Sequence, residues 1–219
     1  MATTVNSAFD QLATSLIPST FDVNAVRSHR ASIETRLYES FGVSNFFGTG
    51  SSENSTDVAH YSDVDYFASI PALQQRDNSA YMLTVMRDDL AKRFWSTNVR
   101  VSTPAVVLEF GTNGSEKVEV TPAYYTGRDA VNDYNVYKIP TTGGGWIKSS
   151  PSVHNKYVTE QNVRLNSKLK PLIRLIKAIA YYNNIGISSF YIELRIAKWA
   201  ESEKTIIYPI DVRTMLRHF

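Results

Sequence analysis

The chain has 219 residues, 23 basic against 21 acidic side chains, a formal charge of +2 and no cysteine. That length suits one large domain or two lobes, and the missing cysteines exclude a disulfide framework, a thiolate zinc site and a cysteine nucleophile. Near-balanced charge argues against strong nucleic-acid binding, and 43% apolar with 20% charged residues argues against disorder. No stretch approaches about 18 consecutive apolar residues, and the first 18 residues lack the basic region of a secretory leader. A soluble, cytoplasmic protein with no membrane partner is therefore expected.

In chain order, Ser19 and Thr20 read as caps for one long helix over residues 21–41, with Val23, Val26, Ile33 and Leu37 near one face and Gly42 as its stop. An aromatic strand is expected over 43–47, then a polar stretch from Gly48 to Thr56. A second strand is expected over 64–70. Helical spacing follows over 79–95 through Met82, Val85, Met86, Leu90 and Phe94. Strands over 105–110 and 117–121 flank a five-residue, glycine-bearing loop, which reads as a hairpin. Residues 126–150 read as irregular, with Gly143, Gly144 and Gly145 a flexible point. Helices are expected over 152–165, 171–183, 188–200 and 211–219. The layout is α+β, a mixed sheet with flanking helices and then a helical lobe. The expected division is a catalytic lobe with an N-terminal spine helix over 1–150 and a helical lobe over 151–219.

The informative chemistry is Asp63-Val64-Asp65. Residues two apart on a strand point to one side, so two carboxylates are held close together at the start of a strand. Like charges so placed are costly unless a cation neutralises them, and oxygen-only ligation favours magnesium or manganese. Thirteen residues earlier stands Gly50, followed by Ser51. Glycine lets backbone approach an anion, and serine adds a hydroxyl and an amide donor. A third acid, Glu119, alternates with Val118 and Val120 and so points away from their apolar face. If its strand neighbours the Asp63–Asp65 strand, three carboxylates converge to hold two metal ions.

Gly50-Ser51, Thr56 and Ser62-Asp63-Val64-Asp65 resemble the signature of polymerase-β-type nucleotidyltransferases. More narrowly they are similar to the branch that holds oligoadenylate synthetases, cyclic GMP–AMP synthase and the bacterial cyclic-oligonucleotide synthases of anti-phage defence. Glu119-Val120-Thr121-Pro122-Ala123-Tyr124 resembles the family's third-acid segment. Gly143 to Ile147, with Ser150, Pro151 and His154, resembles the bacterial enzymes. The matches together cover about residues 22–200. The third acid is glutamate where aspartate is commoner, and Glu53 and Asn54 stand where a basic residue is usual. Without cysteine, the zinc-bearing insertion of animal DNA sensors is not expected. The chain stops at Phe219 where relatives usually continue, which reads as a truncated or a shortened member.

The resemblance implies a catalytic cleft between sheet lobe and helical lobe. It implies Asp63, Asp65 and Glu119 as metal-binding catalytic acids, with Mg2+ as cofactor and Mn2+ the alternative. It implies Gly50, Ser51, Lys177 and Ser189 as the nucleotide's phosphate-holding residues and Phe190 as its base-stacking residue. The implied reaction joins nucleoside triphosphates into a cyclic di- or oligonucleotide second messenger with release of pyrophosphate, read by a downstream cyclic-nucleotide-sensing effector. Two alternatives stay open: a nucleotidyltransferase acting on RNA, protein or a small molecule, and a catalytically silent nucleotide-binding regulatory module.

Overall fold

The computed structural model describes residues 4–61, 63–131 and 133–219. They form two compact units: one from the described parts of 20–50 and 63–152, the other from the described parts of 1–19 and 51–62 together with 153–219.

The first unit is built on a seven-stranded mixed sheet: β1 (Asn45–Thr49), β2 (Val64–Ser69), β3 (Asn98–Ser102), β4 (Ala105–Phe110), β5 (Glu116–Arg128), β6 (Asn135–Pro140) and β7 (Trp146–Ser149). The main path runs β1-β2-β5-β4-β3, and β6 pairs with β5 and β7. Among the described strands only β2 and β5 pair in parallel. A parallel pair needs a long crossover, and the chain between them supplies it with a helix, α5 (Ser79–Arg93). Asn78 caps α5 by accepting the Tyr81 amide. Met82, Leu83, Met86 and Leu90 of α5 and Ile33, Leu37 and Phe41 of α3 (Arg30–Phe41) pack with Tyr66, Val106, Leu108, Val118 and Val120 from one face of the sheet. Truncating a fully buried residue such as Leu37 to alanine would cost about 2–5 kcal/mol. The odd-numbered residues of β2 and β5 are left for the other face.

Several expectations change. The helix over 21–41 is two helices, α2 (Thr20–Ser28) and α3, broken at His29. The His29 ring stacks on Phe110 at 3.8 Å and its Nε2 lies 2.7 Å from Glu116, so a tertiary anchor interrupts the helix. Gly42 ends α3 in the left-handed conformation as expected. The aromatic strand lies two residues later than expected. Residues 126–150 are not irregular: β5 runs to Arg128, and β6 and β7 follow. Their anchors are a small cluster of Phe67, Ala123 and Tyr137, and Trp146, whose indole N–H is 3.0 Å from the Arg76 carbonyl oxygen. The triple glycine is a tight connection, not a flexible point. At Gly144, with φ +82°, an added Cβ would lie 2.9 Å from the Asn78 side chain. Strand β3 was not anticipated.

The second unit holds α1 (Val5–Ser15), α7 (Leu169–Tyr182), α8 (Ser189–Ala200), α9 (Tyr208–Met215) and nearly all of α6 (Pro151–Arg164). A four-residue helix, α4 (Gly50–Glu53), contains the point where the chain passes from one unit to the other. Helix α1, also unanticipated, carries a capping box between Thr4 and Ser7. Ala13 and Leu16 at its end, and Val58, join Leu172, Ile173, Ile176, Ile192 and Ile196 in one core. The Ala59 N–H donates to the Leu16 carbonyl at 2.8 Å. Residues 4–19 and 51–61 thus belong with the helical unit, whereas the expected division assigned everything before 151 to the catalytic lobe. Ala13, Leu16 and Val58 are buried in the core of that unit, which sequence order conceals. Among the described residues no helix is long and apolar enough to cross a membrane.

Candidate active site

Strands β2 and β5 run side by side with Asp65 directly opposite Glu119. Val64 packs against, and Tyr66, Val118 and Val120 lie within, the core on one face, which turns Asp65 and Glu119 to the other. Asp63, one residue before β2, has its side-chain carboxyl beside that of Glu119. Burial raises the Asp63 pKa, against opposing pulls from Lys117 and Arg100. Burial also raises that of Glu119, and the neighbouring Asp63 charge raises it further. Two half-buried carboxyls in contact resist simultaneous ionisation, and a cation relieves that conflict. All three side chains offer only oxygen, the donor that magnesium and manganese prefer. Among the described residues no group of three or more His, Asp or Glu side chains is gathered closely enough to hold a metal ion. What exists is the Asp63–Glu119 contact with Asp65 in register beside it.

Gly50 completes this side. It sits at φ +66°, and a Cβ there would lie 2.7 Å from Asp65 Cγ and nearer still to Oδ2. Glycine is therefore required both by the turn and by the carboxylate lying against its backbone.

In the helical unit the remaining candidates surround one buried acid. The Ser51 carbonyl accepts the Thr56 N–H at 2.9 Å, closing the turn that begins with α4. Thr56, fully buried, donates its hydroxyl to Glu193. Lys177, also fully buried, donates to Glu193 and to the Thr56 carbonyl and hydroxyl oxygens. Asn54 Nδ2 donates to Glu193 at 2.9 Å, and His154 Nε2 stands 2.7 Å away. Burial alone would raise the Glu193 pKa, but the His154 hydrogen bond and the Lys177 charge and hydrogen bond bring it down to about 2. Arg174 donates to the carbonyl oxygens of Asp57 and Ser55, both at 2.9 Å. Ser189 opens α8, half-buried. Phe190 beside it is 58% exposed, its ring 4.9 Å from that of His154, so it is no core aromatic.

A family model of the Second Messenger Oligonucleotide or Dinucleotide Synthetase domain matches residues 3–162. The chain belongs to this nucleotidyltransferase family. Its fold is that of solved members. The cyclic dinucleotide synthase CdnE of Elizabethkingia meningoseptica, solved with GTP and Apcpp, superposes with a TM-score of 0.74 at 20% identity, over 98% of this chain and 83% of that one. The cyclic AMP-GMP synthase DncV of Vibrio cholerae, in complex with a linear intermediate, gives 0.72 at 12% identity, over 94% and 75%. A probable cyclic nucleotide synthase of Bacillus cereus (strain VD146) is 32% identical over 75 residues. That alignment takes in 34% of this chain and 22% of the relative.

For this synthetase-family chain, the strand adjacency on which convergence of the acids depended is present. Gly50, Asp63, Asp65 and Glu119 lie in one unit; Ser51, Lys177, Ser189 and Phe190 lie in the other. Ser62 of the signature lies outside the described residues. Lys177 is neither snorkelling nor exposed: its ammonium is taken up by Glu193 and Thr56. Glu193, Asn54 and Arg174 were missed. For Glu193 and Arg174 a signal was available, because each places a charge on the apolar stripe of its helix, between Ile192 and Ile196 and between Ile173 and Ile176. A charge there needs a partner.

Proposed function

We propose that this chain joins nucleoside triphosphates into a cyclic di- or oligonucleotide second messenger. The observation that carries the reading is the parallel register of Asp65 and Glu119, with Asp63 in contact with Glu119 and Gly50 backing Asp65. A ribose hydroxyl of one nucleotide attacks the α-phosphorus of another. The new P–O bond forms as the bond to the bridging oxygen breaks, and pyrophosphate leaves with the electron pair. The hydroxyl proton passes to a carboxylate oxygen of Glu119, which activates the hydroxyl for attack. A second transfer within the linear product closes the ring.

Asp63, Asp65 and Glu119 are the residues that would hold divalent cations, Mg2+ or Mn2+, and when bound these neutralise charge developing on the phosphate and leaving group. Gly50 and Ser51 present backbone amides and a hydroxyl to the phosphates. In the helical unit Ser189 is a further phosphate-holding candidate, Phe190 offers its exposed ring to a base, and Lys177, buried against Glu193 and Thr56, acts through the turn it holds and not by direct contact. Positioning and charge neutralisation supply most of the rate in phosphoryl transfer. The family membership supports a cytoplasmic role in bacterial anti-phage signalling, with a cyclic-nucleotide-sensing effector reading the product.

The test is incubation with all four ribonucleoside triphosphates and Mg2+ or Mn2+, then phosphatase treatment and mass spectrometry. A phosphatase-resistant cyclic product, absent from the Asp63→Ala/Asp65→Ala protein, is the expected result. Absence of both triphosphate binding and product overturns the reading.

A further inference from the structure

The carboxylate of Glu193 accepts from four side chains at once. Oε1 takes the Lys177 ammonium and the Thr56 hydroxyl; Oε2 takes Asn54 Nδ2 and faces His154 Nε2. These donors come from three places, the 51–57 segment, α6 and α7, while Glu193 itself stands on α8. Each phosphate-holding candidate of this unit is therefore tied to one carboxylate. Lys177 is bound directly. Ser189 precedes Glu193 by four residues on the same helix, one turn away. Ser51 is held through the Thr56 N–H that its carbonyl accepts.

Stability is a poor explanation for the arrangement. A buried ion pair is often no better than well-packed apolar side chains of the same volume. This one also leaves Asn54 Oδ1 and His154 Nδ1 buried without a hydrogen-bond partner, each a cost. Four directional bonds from three chain segments to a carboxylate only 3% exposed do fix geometry, because the interior offers the donors no competing water.

We infer that Glu193 is a positioning residue of the reaction: with Lys177 as its buried counter-charge and second anchor on Thr56, it sets the Ser51–Thr56 turn in the arrangement that receives a triphosphate. The inference rests on the nucleotide reading above. Glu193 touches no substrate; it acts through Lys177 and Thr56.

Glu193→Gln, Thr56→Val, Lys177→Met and the Lys177→Met/Glu193→Gln pair test it. Dissociation constants with Mg2+ are measured for each of the four ribonucleoside triphosphates and its monophosphate, with thermal melting to confirm folding. Glu193→Gln is expected to weaken triphosphate binding by about tenfold or more while monophosphate binding stays within about twofold. Thr56→Val, which leaves no charge unpaired, is expected to move triphosphate binding the same way by less. In the Lys177→Met background, Glu193→Gln is expected to add little, since its route of action is gone. Unchanged triphosphate affinity in folded Glu193→Gln overturns the inference. So do equal losses for tri- and monophosphate, or full additivity with Lys177→Met. Were the parent protein to hold none of these nucleotides, the functional reading would fall and this inference with it, a result distinct from the other three.

Discussion

The Asp65 carboxylate occupies the space in which a side chain on Gly50 would begin. Gly50→Ala therefore has two effects. It places an alanine at φ +66°, which costs about 1–2 kcal/mol, and it pushes aside one of the three acids. A displacement of about 1 Å at a reacting centre can cost about 100-fold in rate. The expected outcome is a loss of cyclic product of about that size, with a melting midpoint only a few degrees lower. Product formation at the parent rate would show that Asp65 need not lie against this backbone.

Asp63 and Glu119 are held together at a cost in the absence of a cation. Burial raises both pKa values, and the Asp63 charge raises that of Glu119 further. Asp63→Asn removes the repulsion and one donor. The metal-free variant is expected to be more stable than the parent by about 1 kcal/mol, or about 2–4 °C in midpoint for a chain of this size. Mg2+ is expected to raise the parent's midpoint and leave that of the variant nearly unchanged. Product formation is expected to fall by at least about 100-fold. A variant less stable than the metal-free parent would contradict the cause assigned to the raised pKa values.

Glu193 behaves oppositely. Its folded-state pKa of about 2 lies below the ordinary 4.5, so the group contributes stability above about pH 4.5 and loses it as pH falls towards 2. Chemical denaturation of the parent and Glu193→Gln between pH 3 and 7 checks this. The parent's advantage is expected to be constant from pH 5.5 to 7 and to shrink steadily below 4.5. An advantage independent of pH would mean that the Lys177 and His154 contacts do not depend on the carboxylate charge.

Phe190 is 58% exposed and outside the core of its unit. Phe190→Ala is therefore expected to leave folding stability within about 0.5 kcal/mol. If its ring carries a base, nucleotide affinity falls by a factor corresponding to about 1–3 kcal/mol. Calorimetric titration alongside a melting curve separates the two effects, and a large drop in midpoint would make Phe190 a packing residue.

The shared side of the three acids was legible because chemistry and pattern coincide there. Asp63 and Asp65 share a side by strand periodicity, and Glu119 alternates with two valines. That β2 and β5 pair, and in which register, is a long-range fact no local pattern contains. The break at His29 was hidden for a related reason, since helical spacing continues across it and the interruption comes from Phe110 and Glu116. Strands β6 and β7 were missed because they are short and partly polar, and because Gly143 to Gly145 read as slack, not as a turn filled by Asn78. Helix α1 carries its own signals, a Thr4–Ser7 capping box and apolar residues at helical spacing, in a stretch whose lack of a basic region speaks only to a leader peptide. Lys177 drew notice through its resemblance to a known helix. Its partner Glu193 did not, although an acid on a buried stripe announces a cation nearby.

The parallel pairing has a kinetic consequence as well. Asp65 and Glu119 are neighbours across about fifty residues of intervening chain. Closing a loop of that span costs entropy before any contact repays it, and non-local pairings of this kind form slowly. A nascent chain in which β5 has not yet zipped against β2 has its first two acids in place and lacks the third. On the proposed function such a chain is expected to make no product, so output would appear with completed folding and be extinguished by any nick or misfold that parts those two strands.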